Sequence, residues 1–152
     1  ILRQQPVASD LRQVSTALKV VTDLERIGDH ASDIAELILR IKSEHAYHIV
    51  KHLPVMAASA NAMVHDAIEA FIDQDLDAAM EIIERDDEVD TLFNQVKDDV
   101  IHLLQSSPDQ ADQGIDLLMV AKYLERIGDH AVNVCEWTQF SKTGALKNVR
   151  IM

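Results

Sequence analysis

The chain has 152 residues and a formal net charge of −12, with 26 acidic residues against 14 basic ones. This length suits one domain with a substantial buried core. The acidity argues against nucleic acid and anionic membrane surfaces as partners, since both need a basic face. Only four glycines and three prolines are present, which is few for a chain of this size and excludes turn-rich folds such as a β-sandwich or a barrel.

The single cysteine, Cys135, excludes an internal disulfide and indicates a reducing compartment. Small residues surround it at helical spacing, so we expect the thiol to be buried and inert. No apolar run approaches the roughly 18 residues that a membrane span requires. The sequence therefore predicts no direct insertion into a membrane.

Apolar residues recur at helical spacing in the first half of the chain. The first predicted helix covers residues 6–42, and Pro6 suits its first turn because the missing N–H needs no partner there. A polar, histidine-rich connector over residues 43–51 follows. It leads into a second predicted helix over residues 52–72.

The second half of the chain shows the same period. A third helix is predicted over residues 76–105, with Asp75 as its N-cap. A fourth covers residues 112–140 and ends near Gly144. Four long helices with short joints predict an all-α protein that folds as an antiparallel helical bundle.

An eight-residue repeat dominates the sequence. The octet Leu-Glu-Arg-Ile-Gly-Asp-His-Ala occupies residues 24–31 and returns unchanged at residues 124–131, which indicates internal duplication. A helical hairpin precedes the second copy but not the first, so we expect two further helices upstream of Ile1. The prediction is two tandem three-helix units, the first incomplete in this chain. Residues 1–44 form the last helix of the first unit, residues 45–142 the complete second unit and residues 143–152 a tail.

Each octet carries two acids four residues apart, which share one face of a helix. These are Glu25 and Asp29 in the first copy, followed one turn later by Asp33, and Glu125 and Asp129 in the second. Like charges at this spacing destabilise a helix by about 0.2–0.5 kcal/mol. The glycine in mid-helix adds about 1 kcal/mol relative to alanine. A sequence that repeats both features predicts a compensating partner.

A further acidic pair lies on the third predicted helix. The apolar seam of this helix is the line of apolar residues along one of its faces. Asp86 occupies a place where this seam should continue, and Asp90 follows on the same face. Helices three and four should pack antiparallel across their short loop, and this pair lies about as far from the loop as Glu125 and Asp129 do. Four carboxylates at one level cannot all stay ionised without cations. Oxygen ligands of this kind suit iron, manganese, magnesium or calcium.

The residues alone leave a metal-free alternative open. Arg26 and Arg126 are the candidate partners of the acids: Arg126 lies three residues before Asp129, and Lys122 likewise lies three before Glu125. On that interpretation the acids form a solvated, self-paired face of a helical scaffold. His30 and His130 follow the motif aspartates but point about 100° away from them, which favours a core or surface position over metal ligation.

The doubled octet, in two helical units, resembles the PhoU family of phosphate-transport accessory regulators. That family carries paired acidic motifs. The matching pairs in this sequence are Glu25/Asp29, Asp86/Asp90 and Glu125/Asp129. Residues 5–12 resemble the family's entry into the third helix, and residues 83–90 resemble its acidic segment. The resemblance covers residues 1–140 and lacks about two helices of the family's first unit.

The resemblance implies a cytoplasmic regulator that is not an enzyme and is usually a homodimer. The implied partners are the phosphate ABC transporter ATPase and the phosphate-sensing histidine kinase, through which high-affinity uptake and the phosphate-starvation response (the Pho regulon) are restrained. A divalent or multinuclear metal is also implied, iron first, with zinc, manganese, magnesium or calcium as alternatives. The implied metal ligands are Asp86, Asp90, Glu125, Asp129, Glu25, Asp29 and Asp33. A metal-free scaffold, or a metal-dependent hydrolase on the same carboxylates, are the rival functions.

Overall fold

The structure, a computed structural model, describes residues 4–144, with side chains from Val7 onward. This range forms six α-helices and one 3₁₀ turn, and it contains no strand. The helices are α1 (Gln4–Arg40), α2 (Glu44–Ile49), α3 (Leu53–Asp73), α4 (Leu76–Glu84), α5 (Asp86–Ser106) and α6 (Ala111–Thr143), with the 3₁₀ turn at Pro108–Gln110. The predicted all-α fold is confirmed.

Local side chains determine several helix ends. The carboxylate of Asp75 accepts a hydrogen bond from the Ala78 N–H at 3.1 Å and caps α4, as predicted. The Ser43 hydroxyl accepts one from the Ala46 N–H at 3.1 Å and caps α2. Gly144 ends α6 with a φ of 77°, in the left-handed region that glycine adopts without strain.

Two details of the helix prediction are wrong. The connector at residues 43–51 contains the short helix α2, because Ser43 supplies an N-cap within a polar segment. The helix predicted over residues 76–105 breaks at Arg85 into α4 and α5. Neither proline nor glycine lies at this break, so it lacks the usual local causes. Instead, Arg85 bonds to Asp66 on α3 at 2.5 Å.

Helix α6 lies at the centre of the fold and contacts α1, α3, α4 and α5. Such a helix is covered on several sides, so it carries buried residues around most of its circumference. The core that it shares with the other helices consists of apolar side chains. Among the fully buried ones are Met56, Met63, Ile82, Val89, Val96, Leu103 and Leu117.

Helix α1 runs antiparallel along α6. Near its end, Arg40 bonds to Asp116, close to the start of α6, at 3.1 Å. In the middle of the interface, Asp23 meets His130 at 2.9 Å. Both octets lie in these central turns. The two copies of the repeat therefore lie side by side, with their chains running in opposite directions.

One apolar face of α1 remains uncovered by the described residues. The face that meets α6 carries Thr16, Val20 and Asp23, all buried. The uncovered face carries a stripe with alternating spacings of four and three residues, the pattern of a helix that packs on another helix. The stripe consists of Val7, Leu11, Val14, Leu18 and Val21, each more than half exposed. No helix of the described range is apolar over a window long enough to cross a bilayer.

Candidate metal-binding acids and the interface between the repeats

Asp86 lies against the second octet. Its Oδ1 is 3.9 Å from the place where a Cβ on Gly128 would stand, and Val89, one turn later, comes within 3.7 Å of the same place. The side chain of Asp86 is only 1% exposed. Helix α5 therefore turns this carboxylate into its interface with α6, next to the backbone that carries Asp129.

The other acids at this level are less enclosed. Asp90 is exposed, so the prediction that it points toward the apolar seam is wrong. Asp86 and Val89 are buried, and Asp90, the residue after Val89, falls about 100° further round the helix than Val89. Glu125 and Asp129 are half-buried.

Lys122 neutralises one of the acids around Asp86, the carboxylate of Glu125. Its Nζ donates to Oε1 of Glu125 at 2.7 Å and lies 5.6 Å from the centre of the Phe93 ring. One of the ion pairs that the metal-free interpretation invokes is thus present on α6. An ion bound by Glu125 would have to compete with Lys122 for this carboxylate.

The acids of the first octet lie on the open side of α1. Glu25 and Asp29 are exposed, while Asp33 is half-buried with its Oδ2 3.8 Å from Nδ1 of His30. A Cβ on Gly28 would meet nothing within 4 Å, in contrast to its counterpart Gly128. Within the described range, no helix faces the acidic pair of the first octet.

A different group of possible metal ligands, which the sequence pattern did not single out, lies on α3. Among residues 7–144, His65, Asp66 and Glu69 of α3 bring ligand atoms within 4.8 Å of one another. His65 Nε2 lies 3.7 Å from Glu69 Oε1, the i, i+4 spacing that could have revealed the group. The predicted acids are not gathered as closely, although their oxygen donors suit a hard or borderline cation.

A buried polar set joins the two copies of the repeat, and the sequence analysis did not predict it. Oδ1 of Asp23 lies 2.9 Å from Nδ1 of His130 and accepts a hydrogen bond from Nδ2 of Asn133 at 3.3 Å. All three side chains are buried. His130 is therefore a core histidine in this structure. The signal in the sequence is the helical spacing of Asp23 with Thr16 and Val20, which continues one face of α1.

His30 occupies the equivalent place in the first copy. Its ring centre lies 5.7 Å from that of His130 and 5.5 Å from that of Tyr123. Burial lowers the pKa of His30, the positive charges of His130 and Arg126 lower it further, and carboxylates led by Asp33 partly oppose these effects. The neutral form of His30 is therefore favoured where the two octets meet.

Cys135 is fully buried in α6, as predicted. Burial raises the pKa of the thiol to about 12, and the nearby Arg85 charge only partly opposes this effect. Because the thiolate is the reactive form, the folded protein keeps this cysteine unreactive.

Comparison with known proteins identifies the family. The family model of the PhoU domain matches residues 1–38 and 53–138. The chain belongs to the PhoU family. A phosphate-specific transport system accessory protein PhoU homolog from Clostridium acetobutylicum is 43% identical over 145 residues, which cover 95% of this chain and 66% of that protein. PhoU homolog 1 from Thermotoga maritima is 34% identical over 99% of this chain and 64% of that protein.

Solved PhoU structures share the fold of this PhoU-family chain. Pseudomonas aeruginosa PhoU superposes with a TM-score of 0.81 and 32% identity, over 93% of this chain and 68% of that one. The phosphate transport system regulatory protein PhoU of Streptococcus pneumoniae gives 0.79 and 30%, over 91% of this chain and 66% of that one. The resemblance inferred from the octets is confirmed. The chain spans about two thirds of the length of these relatives.

Proposed function

We propose that this PhoU-family chain belongs to a metal-binding regulatory adaptor of phosphate transport and is not an enzyme. Its relatives are named accessory proteins of the phosphate-specific transport system, and the Streptococcus pneumoniae protein is named a regulatory protein of that system. The adaptor acts in the cytoplasm by binding the transporter ATPase and the phosphate-sensing histidine kinase. In this way it restrains high-affinity uptake and the phosphate-starvation response.

The burial of Asp86 is the observation that supports metal binding. Asp86 lies between two helices that carry further acids, so carboxylate oxygens, the ligands that hard cations prefer, are present on both sides of it. A bound cation would supply positive charge at that level and tie α5 to α6. The proposed iron, or other divalent metal, is held by Asp86, Asp90, Glu125 and Asp129. A second position uses Glu25, Asp29 and Asp33.

Removal of the metal tests this proposal. An ion that binds only the folded state stabilises it by mass action, by about 2.7 kcal/mol when free metal is 100-fold above Kd. We therefore expect EDTA to lower the melting temperature of the metal-loaded chain, followed by circular dichroism. The double variant Asp86→Asn/Asp90→Asn should lose this sensitivity.

A matched variant separates specific ligation from a general effect of charge. Asp87→Asn/Asp98→Asn removes two exposed acids from the same helix and should melt with the same EDTA sensitivity as the wild type. If EDTA leaves the wild-type melting temperature unchanged, metal binding is contradicted while family membership stands.

The Lys122–Glu125 ion pair favours one alternative, a metal-free scaffold. If Lys122 is the true partner of this carboxylate, Lys122→Met should destabilise the protein whether or not metal is added. If Glu125 is a metal ligand, the same variant should bind metal at least as tightly, because a competing cation has been removed. Metal analysis of the purified wild-type protein, together with titration of this variant, distinguishes the two.

A hydrolase on the same carboxylates is the remaining alternative. Such an enzyme needs an open coordination position beside a substrate pocket. We expect no hydrolysis of p-nitrophenyl phosphate above background with Mn²⁺ added. Glu125→Ala/Asp129→Ala should change the metal content alone. Activity in the wild type that disappears in this double variant would overturn the non-enzymatic proposal.

A further inference from the structure

The break between α4 and α5 consists of the single residue Arg85. Its φ of −68° and ψ of −12° stay in the right-handed region. Its N–H bonds to the Ile82 carbonyl at 3.0 Å, and its own carbonyl accepts from the N–H groups of Glu88 at 3.0 Å and Val89 at 3.3 Å. The first two bonds span three residues instead of four and tighten the turn toward the 3₁₀ form, whereas the bond from Val89 has the α-helical spacing.

A tertiary ion pair holds this tightened turn. Nη2 of Arg85 donates to Oδ2 of Asp66 on α3 at 2.5 Å, and this hydrogen bond holds the pKa of Asp66 below its usual range. The positive charge of Arg85 also acts on the Cys135 thiol of α6. The side chain of Arg85 therefore bonds to α3, and its charge also reaches a side chain of α6.

The tightened turn sets the direction of the buried acid that follows it. A residue in a 3₁₀ turn rotates by about 120°, compared with about 100° in an α-helix. The first side chain of α5 therefore points differently from the way it would in an uninterrupted helix. That side chain is Asp86, which lies beside Gly128 and is 1% exposed.

We propose that Arg85 and Asp66 are positioning residues for Asp86. Their ion pair keeps the tightened turn in place and so holds the Asp86 carboxylate against the second octet, ready to bind a metal ion. This inference rests on the proposed metal-binding function, but it assigns no ligand role to the pair itself. Loss of partners outside the ligand set weakens metal binding by about 10–100-fold in other sites.

Titration with Mn²⁺ tests the pair in the full chain. Arg85→Met is expected to bind Mn²⁺ about tenfold more weakly than the wild type, measured by calorimetry. Asp66 belongs to the His65, Asp66 and Glu69 group, so its variant is tested by the thiol readout below. Arg85→Lys retains the charge without the planar fork and should recover part of the loss. The control is Asp73→Asn. Asp73 lines the groove between α3 and α4 that also contains Asp66 and Arg85, but it has no bond to Arg85, so this variant should bind Mn²⁺ like the wild type.

Cys135 reports on the packing around the Arg85 break without any metal, because the charge of Arg85 reaches its thiol. It is the chain's single cysteine and is buried, so an aromatic disulfide reagent reacts with it only after local opening. We expect faster labelling in metal-free Arg85→Met and Asp66→Asn than in the wild type. The rate should be unchanged in Asp73→Asn and intermediate in Arg85→Lys.

The two readouts separate this inference from the proposed function. Unchanged labelling in both ion-pair variants overturns the inference, whatever the Mn²⁺ result. Faster labelling with wild-type Mn²⁺ affinity overturns the link between the pair and the metal ligands. If the wild type binds no Mn²⁺ but labelling still accelerates, the metal proposal fails while the role of the pair in positioning Asp86 is supported.

Discussion

Asp23 is the residue through which the two copies of the repeat are joined. Its carboxylate is buried and meets both His130 and Asn133 on α6. A buried donor that loses its acceptor pays its full desolvation penalty, about 1–3 kcal/mol for each group. The interface thus depends on one acid outside the octets.

Replacement of this acid tests that dependence. Asp23→Ala should lower the free energy of unfolding by about 2–3 kcal/mol, because His130 and Asn133 lose a shared partner. Urea denaturation followed by circular dichroism measures the change. Asp10→Ala removes an exposed acid from the same helix and should have little effect. A loss below about 0.5 kcal/mol in Asp23→Ala, the range of ordinary surface substitutions, would contradict the role of the buried set.

The sequence favours a core or surface position for His130 over metal ligation, but it predicts neither which of the two positions it takes nor its partner. Helical spacing shows which residues share a face, and two faces of α1 carry apolar residues. Which face meets α6 depends on long-range packing between residues over 100 positions apart. Periodicity alone therefore does not distinguish Asp23 from a solvated acid beside the octet, whereas the packing of α1 on α6 buries it.

At the level of elements, the two octet glycines offer a matched comparison. Gly28 and Gly128 occupy the same place in identical helical segments, yet only Gly128 faces a packed helix. The contacts that a Cβ on Gly128 would make, at 3.7–4.0 Å, are ordinary van der Waals contacts. Neither position has the positive φ that would require glycine.

Both glycines should therefore accept alanine. Gly28→Ala and Gly128→Ala are each expected to stabilise the protein by up to about 1 kcal/mol, since alanine has the higher helix propensity. Thermal unfolding of the metal-free protein measures both variants in parallel. Stabilisation by Gly28→Ala together with destabilisation by Gly128→Ala would show that α5 packs closer to α6 than described.

The helices themselves were largely predictable, whereas the break in the third was not. Periodicity and the capping residues Asp75 and Gly144 place the first, second and fourth predicted helices and the outer bounds of the third. The break at Arg85 depends on a bond to Asp66, nineteen residues earlier on another helix. No local pattern encodes such a contact. The same limit applies to Asp90, whose exposure depends on the direction that α5 takes after the break.

For the whole molecule, the exposed stripe on α1 should dominate behaviour in solution. Contiguous apolar surface on a helix associates with other apolar surface. We expect the 152-residue chain to self-associate as its concentration rises, measured by sedimentation velocity. Leu11→Gln/Leu18→Gln should reduce association without loss of helicity.

Met80→Gln is the control for this prediction, because Met80 is an exposed apolar residue on α4, outside the stripe. It should associate like the wild type. A chain that stays monomeric at all concentrations would contradict an associating stripe, and with it the expectation that this face of α1 packs on another helix.

The antiparallel pairing of α1 with α6 also has a consequence for the order of folding. Helices α3 to α6 follow one another through short connections and can assemble from local hairpins. The bonds between α1 and α6 join residues 107 and 110 positions apart, so docking of α1 closes a long loop. Contacts this distant in sequence form late. Helix α1 should therefore be the last helix to dock and the first to release its amide protons to exchange, and the two identical octets would come into contact only at the final step of folding.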